Sequence, residues 1–262
     1  MSENNKNIHM SQFRRKEVVF QYNNNEVKEE KEESLEINEL MSLGSPRMND
    51  MKQIADIKAE FSQTIDPILR MYNAAMNEAI ARFEIIKDEF SFRKKRCPIH
   101  HIDSRLKSAN SILGKLEKKD LDLTLTAACN NIYDIAGVRI VCPYVKDIYL
   151  IRERIVAQDD IYILEEKDYV AEPKRNGYRS LHIIIRVPVY FMNKKQLVPV
   201  ELQIRTLAMD LWASLEHDLK YKSQQAEYEI DFTAKLYECS KLIYEAEDSM
   251  EKINNLLEDD NV

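Results

Sequence analysis

Residues 180–206 read SLHIIIRVPVYFMNKKQLVPVELQIRT, and their pattern decides the fold. Leu181, Ile183, Ile185, Val187 and Val189 recur at every second position, as do Val198, Val200, Leu202 and Ile204 beyond the polar MNKKQ run. Successive side chains of a strand point to opposite faces, so this period predicts two strands with one apolar face each, paired as a hairpin. On the other face of the second strand the same parity aligns Glu201, Gln203 and Arg205. A carboxylate, an amide and a guanidinium pointing one way, in a strand otherwise built of Val, Leu and Ile, predict the lining of a site.

Upstream, DIAGVRIVCPYV at 134–145 reads as a loop entering a strand at 137–142, followed by a helix near 146–157 and a second strand near 161–170. Between Pro98 and that loop, Ile102, Leu106, Ala109, Leu113 and Leu116 form one apolar stripe, which predicts a short helix with Arg105, Ser108 and Lys115 on a separate polar face. Farther back, Ile54, Ile57, Phe61 and Ile65 recur at helical spacing. After Asp66-Pro67, read as an N-cap and first-turn pair, the spacing continues through Leu69, Tyr72, Met76, Ile80, Phe83 and Ile86. Residues 47–96 are therefore expected to be a helical arm ending in the basic run RKKR at 93–96. Residues 1–46, rich in Asn, Glu, Lys and Ser, are expected to be a disordered tail. Residues 223–262 predict a C-terminal helix in which Leu236, Cys239, Ile243, Ala246, Met250, Ile253 and Leu257 alternate spacings of three and four. Such a seam suits oligomerisation, or packing on the chain's own N-terminal arm. The fold class read from these elements is α/β (α+β).

Composition limits what this fold can do. Of 262 residues 44% are apolar, enough for a core, and a net charge of −7 argues against general nucleic-acid binding. Phosphate chemistry must then use local basic clusters, RKKR and Lys174-Arg175. The four cysteines form no CxxC pair, which argues against a zinc site or disulfide framework, and no run approaches the ~20 apolar residues that span a bilayer. A cytoplasmic protein with reduced thiols is expected.

Candidate chemistry centres on KRNGYRSLH at 174–182, which holds one of only four glycines. Lys174, Arg175 and the backbone near Gly177 can meet phosphate oxygens, although Asn176-Gly177 also reads as a plain turn. Tyr178 can stack on a base or serve as a core aromatic, and strand parity would turn Tyr178, Ser180 and His182 to one side. Asp134 and Glu201, each beside core residues, suit a nucleotide-bound magnesium, which takes one or two carboxylates plus phosphate oxygens. Either could instead be a capping or edge residue. Arg139, embedded in AGVRIVC, must emerge on a polar face, where its guanidinium can stack on an aromatic ring or pair with a surface acid.

Four segments in this order, SRLKS at 104–108, DIAGVRI at 134–140, NGYRSLH at 176–182 and VELQIRTLAMDLWASLEH at 200–217, resemble the synthetase domain of the RelA/SpoT family. The resemblance is to its single-domain members, the small alarmone synthetases, over roughly residues 97–222. It implies a nucleotidyltransferase-like fold, a mixed β-sheet flanked by helices, and transfer of pyrophosphate from ATP to the ribose 3′-OH of GDP or GTP, giving ppGpp or pppGpp and AMP. By the same resemblance Arg105 and Arg139 sandwich adenine, and Lys107, Ser108 and Lys115 lie near the ATP phosphates. Asp134 and Glu201 hold Mg2+, with Glu201 also accepting the 3′-OH proton. Tyr178 stacks on guanine within the loop of Asn176 and Gly177, Lys174 and His182 meet acceptor phosphates, and Gln203, Ala213 and Glu216 border the acceptor pocket. Asp210 departs from the Asn found in related synthetases. The resemblance further implies a homotetramer, with (p)ppGpp or RNA as candidate allosteric ligands, and no hydrolase domain. A catalytically silent relative that only binds guanine nucleotide or RNA, and a helical scaffold, are the competing readings.

Overall fold

The computed structural model describes residues 51–93, 95–225 and 232–259; the expected tail at 1–46 lies outside them. Helices α1 (Met51–Thr64) and α2 (Asp66–Phe92) lead into strand β1 (His101–Leu106), α3 (Ala109–Lys118), α4 (Leu125–Asn131) and β2 (Ala136–Cys142). Then follow α5 (Val145–Val156), β3 (Tyr162–Asp168), β4 (Leu181–Phe191), β5 (Lys194–Thr206), α6 (Leu207–Gln225) and α7 (Thr233–Asp259). The five strands form one mixed sheet in the order β1-β2-β5-β4-β3, with β2 and β5 parallel and the other pairs antiparallel.

The expected hairpin is β4–β5, and its turn is tighter than MNKKQ suggested. Only Met192 and Asn193 lie outside the strands, both at positive φ, 51° and 64°. That conformation matches the right-handed twist of the flanking strands and sets the register Phe191↔Lys194 through Leu181↔Ile204. The alternating residues of both strands are buried as the period required, and together with Val138 and Ile140 of β2 they make one apolar sheet face.

Helix α2 covers that face. Tyr72, Ala75, Met76, Ala79, Phe83, Ile86 and Phe90 are its buried stripe, and they join the same core as the sheet. Full burial of each large apolar side chain contributes about 1.5–3 kcal/mol, so α2 shares one core with the strands rather than standing apart as an arm. Ile65 is the N-cap and Asp66-Pro67 begin the helix, one position earlier than the sequence expectation. Pro67 fits there because an early helical N–H has no intrahelical partner to lose. Arg82 fastens α2 to the segment before β3 through a two-pronged contact with Asp160, at 3.0 and 2.7 Å.

Residues 101–106 form a strand where a helix was expected. β1 pairs antiparallel with β2 from His101↔Val141 to Leu106↔Ala136. The helix starts only at Ala109, capped by Ser108, whose Oγ accepts from the Ser111 N–H at 3.3 Å.

Candidate active site

The second face of the sheet is left open, and the register builds a site on it. Residues directly opposite one another on neighbouring strands share a face. Arg105, Gly137, Glu201 and Ile184 therefore form one row across β1, β2, β5 and β4, and Asp103, Arg139, Gln203 and His182 form the next. Gly137 leaves the floor bare between Arg105 and Glu201. The result is a cleft of about 350 Å³ lined by Asp103, Ser104, Arg105, Lys107, Asp134, Gly137, Val138, Arg139, Glu201 and Gln203.

Asp134 sits in the turn before β2, and two ammonium groups converge on one of its oxygens. Lys107 Nζ and Lys115 Nζ donate to Oδ2 at 2.9 and 2.6 Å, whereas Oδ1 is buried with no partner. Burial alone would raise this carboxyl, but the bonds from Lys115 and Lys107 outweigh it and hold the group below the ordinary aspartate value. Asp134 is thus ionised at neutral pH with one oxygen unused. Ser108, in contrast, has its hydroxyl engaged as the cap of α3, where it also shares a 2.9 Å bond with Ser111.

Glu201 joins the cleft to the 174–182 loop. Its Oε1 lies 3.3 Å from His182 Nδ1, and its Oε2 accepts from Gln203 Nε2 at 2.9 Å. Because a carboxylate only accepts, Nδ1 of His182 carries the proton, and Nε2 shares a 2.8 Å hydrogen bond with the Tyr178 hydroxyl. Burial pushes Glu201 up, yet the His182 and Gln203 bonds win and its carboxyl lies below the ordinary range. The chain continues as Arg205 Nη2 donates to Gln203 Oε1 at 3.1 Å.

The loop itself is shaped by Asn176 and Gly177. Asn176 Oδ1 accepts from the Tyr178 N–H at 3.2 Å and its amide donates to Glu216 of α6 at 3.1 Å. Gly177 adopts φ +89°, a conformation that side chains disfavour. Lys174 Nζ stands 4.5 Å and 4.6 Å from the ring centroids of Tyr169 and Tyr178, a double cation–π contact. Tyr178 also meets Tyr169, His182 and Trp212 edge-on.

The eighteen-residue stretch from Lys174 through β4 also corrects one expectation. Strand β4 begins at Leu181, so strand parity does not govern 178–180. Ser180 is buried and its hydroxyl donates to the Ile204 carbonyl at 3.2 Å, out of the pocket. Ala213 is half-buried on α6, three residues from Glu216. Arg105, Lys107, Asp134, Arg139, Glu201 and Gln203 therefore share the cleft. Lys174, Asn176, Gly177, Tyr178 and His182 form a second cluster, linked to the cleft through Glu201.

Two contributors, Asp103 and Tyr169, escaped the sequence reading, which marked Asp210 only as a departure from the family pattern. Asp103 lies 3.9 Å from Arg139, and Asp210 lies 3.5 Å from Arg139 and 3.4 Å from Arg205, so an acid separates the two guanidinium groups. Tyr169, one residue past β3, completes the aromatic wall. The parity of β1 would have exposed Asp103 beside Arg105, but only once that segment was read as a strand.

The comparisons with known proteins agree with this geometry. Residues 104–226 match the family described as "Region found in RelA / SpoT proteins". GTP pyrophosphokinase YwaC of Bacillus subtilis is 42% identical over 183 residues, 70% of this chain and 83% of that protein. GTP pyrophosphokinase YjbM of the same organism is 36% identical over 151 residues, 58% and 70% of the two chains. Among solved structures, small alarmone synthetase 1 from Bacillus subtilis bound to its product pppGpp superposes with TM-score 0.66 at 31% identity, covering 75% of this chain and 97% of that one. Small alarmone synthetase 2 from the same organism gives 0.64 at 38%, covering 71% and 96%. With the matched region spanning every strand and side chain of the cleft from Ser104 to Gln203, and a relative so similar over most of its length, the chain belongs to the RelA/SpoT family.

Proposed function

We propose that this chain transfers the pyrophosphate group of ATP to the ribose 3′-OH of GDP or GTP, releasing AMP and forming ppGpp or pppGpp. The observation that carries the reading is the position of Glu201, an ionised carboxylate at the junction of a cation-lined cleft and an aromatic, glycine-containing loop. Its relatives YwaC and YjbM of Bacillus subtilis are GTP pyrophosphokinases, and small alarmone synthetase 1 of that organism has been solved with pppGpp and, separately, with AMPCPP.

In this reading ATP occupies the cleft, with Arg105 and Arg139 on either side of adenine and Lys107, Lys115 and Ser108 toward the phosphates. The acceptor lies at the 174–182 loop. Guanine stacks on Tyr178, Lys174 leaves its place over the Tyr169 and Tyr178 rings for phosphate, and His182, Gln203, Ala213 and Glu216 line the pocket around Asn176 and Gly177. The 3′-oxygen attacks the β-phosphorus, the bond from Pβ to the bridging oxygen of AMP breaks, and the 3′-OH proton passes to Glu201. Charge neutralisation and in-line positioning supply most of the acceleration in such transfers.

A magnesium ion fits the residues present, because Asp134 keeps one buried oxygen without a partner and Glu201 is ionised nearby. When bound, it would offset triphosphate charge. The Asp134–Lys107–Lys115 cluster holds that carboxylate in its ionised state and in place.

The transferase domain in this reading is residues 97–222, flanked by the 1–46 tail, the 47–96 helices and the 223–262 helical end. We place the protein in the cytoplasm; no helix among the described residues is long and apolar enough to cross a membrane. A homotetramer is supported by Leu242, Met250, Ile253, Leu256 and Leu257, large apolar residues that α7 leaves exposed. Light scattering of the full chain tests the assembly. Incubation with labelled ATP, magnesium and GDP or GTP tests the reaction: AMP and a hyperphosphorylated guanosine are expected in equal amounts, and nucleotide binding without either product would overturn it.

A further inference from the structure

Arg179 and the long helix α7 take no part in the transfer chemistry, yet the acceptor loop is built against them. A β-carbon at Gly177 would stand 2.0 Å from Ser240 Oγ and 2.5 Å from Ser240 Cβ, so the loop rests directly on α7. Two residues on, the Arg179 guanidinium lies 4.4 Å over the Tyr244 ring, donates to the Val170 carbonyl, and pairs with Glu247 Oε2 at 3.6 Å. Both partners are deep, their side chains 16% and 4% exposed. Trp212, which meets Tyr178 edge-on, donates its indole N–H to the Leu236 carbonyl of α7 at 3.1 Å.

The other end of α7 is fastened independently. Glu251 accepts from the Val145 and Lys146 N–H groups at the start of α5, each at 3.2 Å, and Lys146 Nζ donates to Asn255 and Glu258. The helix is thus a wall anchored to the sheet's flank. A buried carboxylate is a poor choice for packing alone, since an apolar residue of similar volume packs as well without the desolvation cost. What Glu247 supplies is a buried negative charge at ion-pair distance from one guanidinium.

We propose that Arg179 and Glu247 are positioning residues for the acceptor nucleotide, fixing through their buried contact where Tyr178 and Lys174 stand. Consecutive Cα atoms are about 3.8 Å apart, so the anchorage of Arg179 restricts where the backbone of Tyr178 can stand. The C-terminal helix is then part of the acceptor site, and whatever α7 docks against is coupled to acceptor binding. The inference rests on the reading of 174–182 as the acceptor loop.

The test compares wild type with Glu247→Leu, Arg179→Met and Tyr244→Leu in the full chain. KM is measured for GDP at saturating ATP and for ATP at saturating GDP, with melting temperature alongside. We expect acceptor KM to rise about tenfold while ATP KM stays within about twofold. An unchanged acceptor KM, or both KM values rising together, overturns the inference. Tyr244 is 46% exposed, so Tyr244→Leu decides the matter if the buried variants do not fold. Hydrogen exchange at amides 176–180 requires no turnover and should quicken in the variants. A wild type that makes no product refutes the proposed reaction, whereas unchanged exchange refutes the positioning role, so the two failures are distinguishable.

Discussion

His182 Nδ1 lies 3.3 Å from Glu201 Oε1, and the same imidazole meets the Tyr178 hydroxyl through Nε2 at 2.8 Å. One imidazole thereby connects the proposed base to the proposed guanine platform. Glu201→Gln keeps the size of the side chain and removes the charge that Nδ1–H addresses. Turnover is expected to fall by about 10²- to 10⁴-fold, the usual contribution of a general base, while ATP and GDP binding measured by calorimetry persists. Turnover within a few-fold of wild type would mean that Glu201 neither accepts the proton nor holds metal.

The two lysines on one oxygen of Asp134 make a different prediction. Asp134→Asn leaves Lys107 and Lys115 facing a neutral amide and takes away the unpaired carboxylate oxygen. We expect a loss beyond about 10²-fold, as for removal of one electrostatic element of a transition-state site. A titration of rate against magnesium should saturate at higher concentration than in wild type. An unaltered magnesium curve would assign Asp134 to the lysines alone.

The hairpin was legible because both strands carry an apolar residue at every second position, and no other element satisfies that period over 27 residues. The same parity exposed Glu201, Gln203 and Arg205 as a lining. β1 was not legible, for a physical reason: Ile102 and Leu106 are four apart, a spacing that is one helical turn and also two strand repeats. Ser108 as a cap was the available signal, since a helix beginning after it leaves 101–106 extended. The α7 seam divides between two surroundings. Leu236 and Ile243 turn inward, but Met250, Ile253 and Leu257 face solvent. Among the residues that do tie α7 to the body are Glu247 and Glu251, acids that an apolar rule passes over.

Asp210 separates Arg139 from Arg205, at 3.5 and 3.4 Å. Asp210→Ala leaves two guanidinium groups on one sheet face with that acid removed, at a cost of about 1–3 kcal/mol for the lost charged partner. Arg139 is the adenine-facing cation in the proposed arrangement, so ATP KM should rise more than acceptor KM. Asp210→Asn keeps the shape and a carbonyl acceptor, so its effect on melting temperature should be smaller than that of Ala. Equal effects of the two substitutions would place the contribution in packing instead of charge.

Glu201 and Glu247 should respond to pH in opposite directions. The His182 and Gln203 bonds overcome burial and hold Glu201 below the ordinary 4.5, so its ionised form stabilises the fold above that value, and the contribution disappears as pH falls through the lower folded pKa. Glu201→Gln should therefore melt below wild type at neutral pH, and the deficit should shrink in acid. Burial raises Glu247, against the opposing pulls of Thr206 and Arg179. Its ionised form weakens the fold, and protonation relieves that cost as pH falls through the raised pKa. Glu247→Gln should melt above wild type at neutral pH, with the advantage fading at a higher pH than the Glu201→Gln deficit does. Melting curves of the two variants from pH 7 down to 4 check both slopes. Parallel slopes would mean that one of the carboxyls is not in the electrostatic setting its partners define.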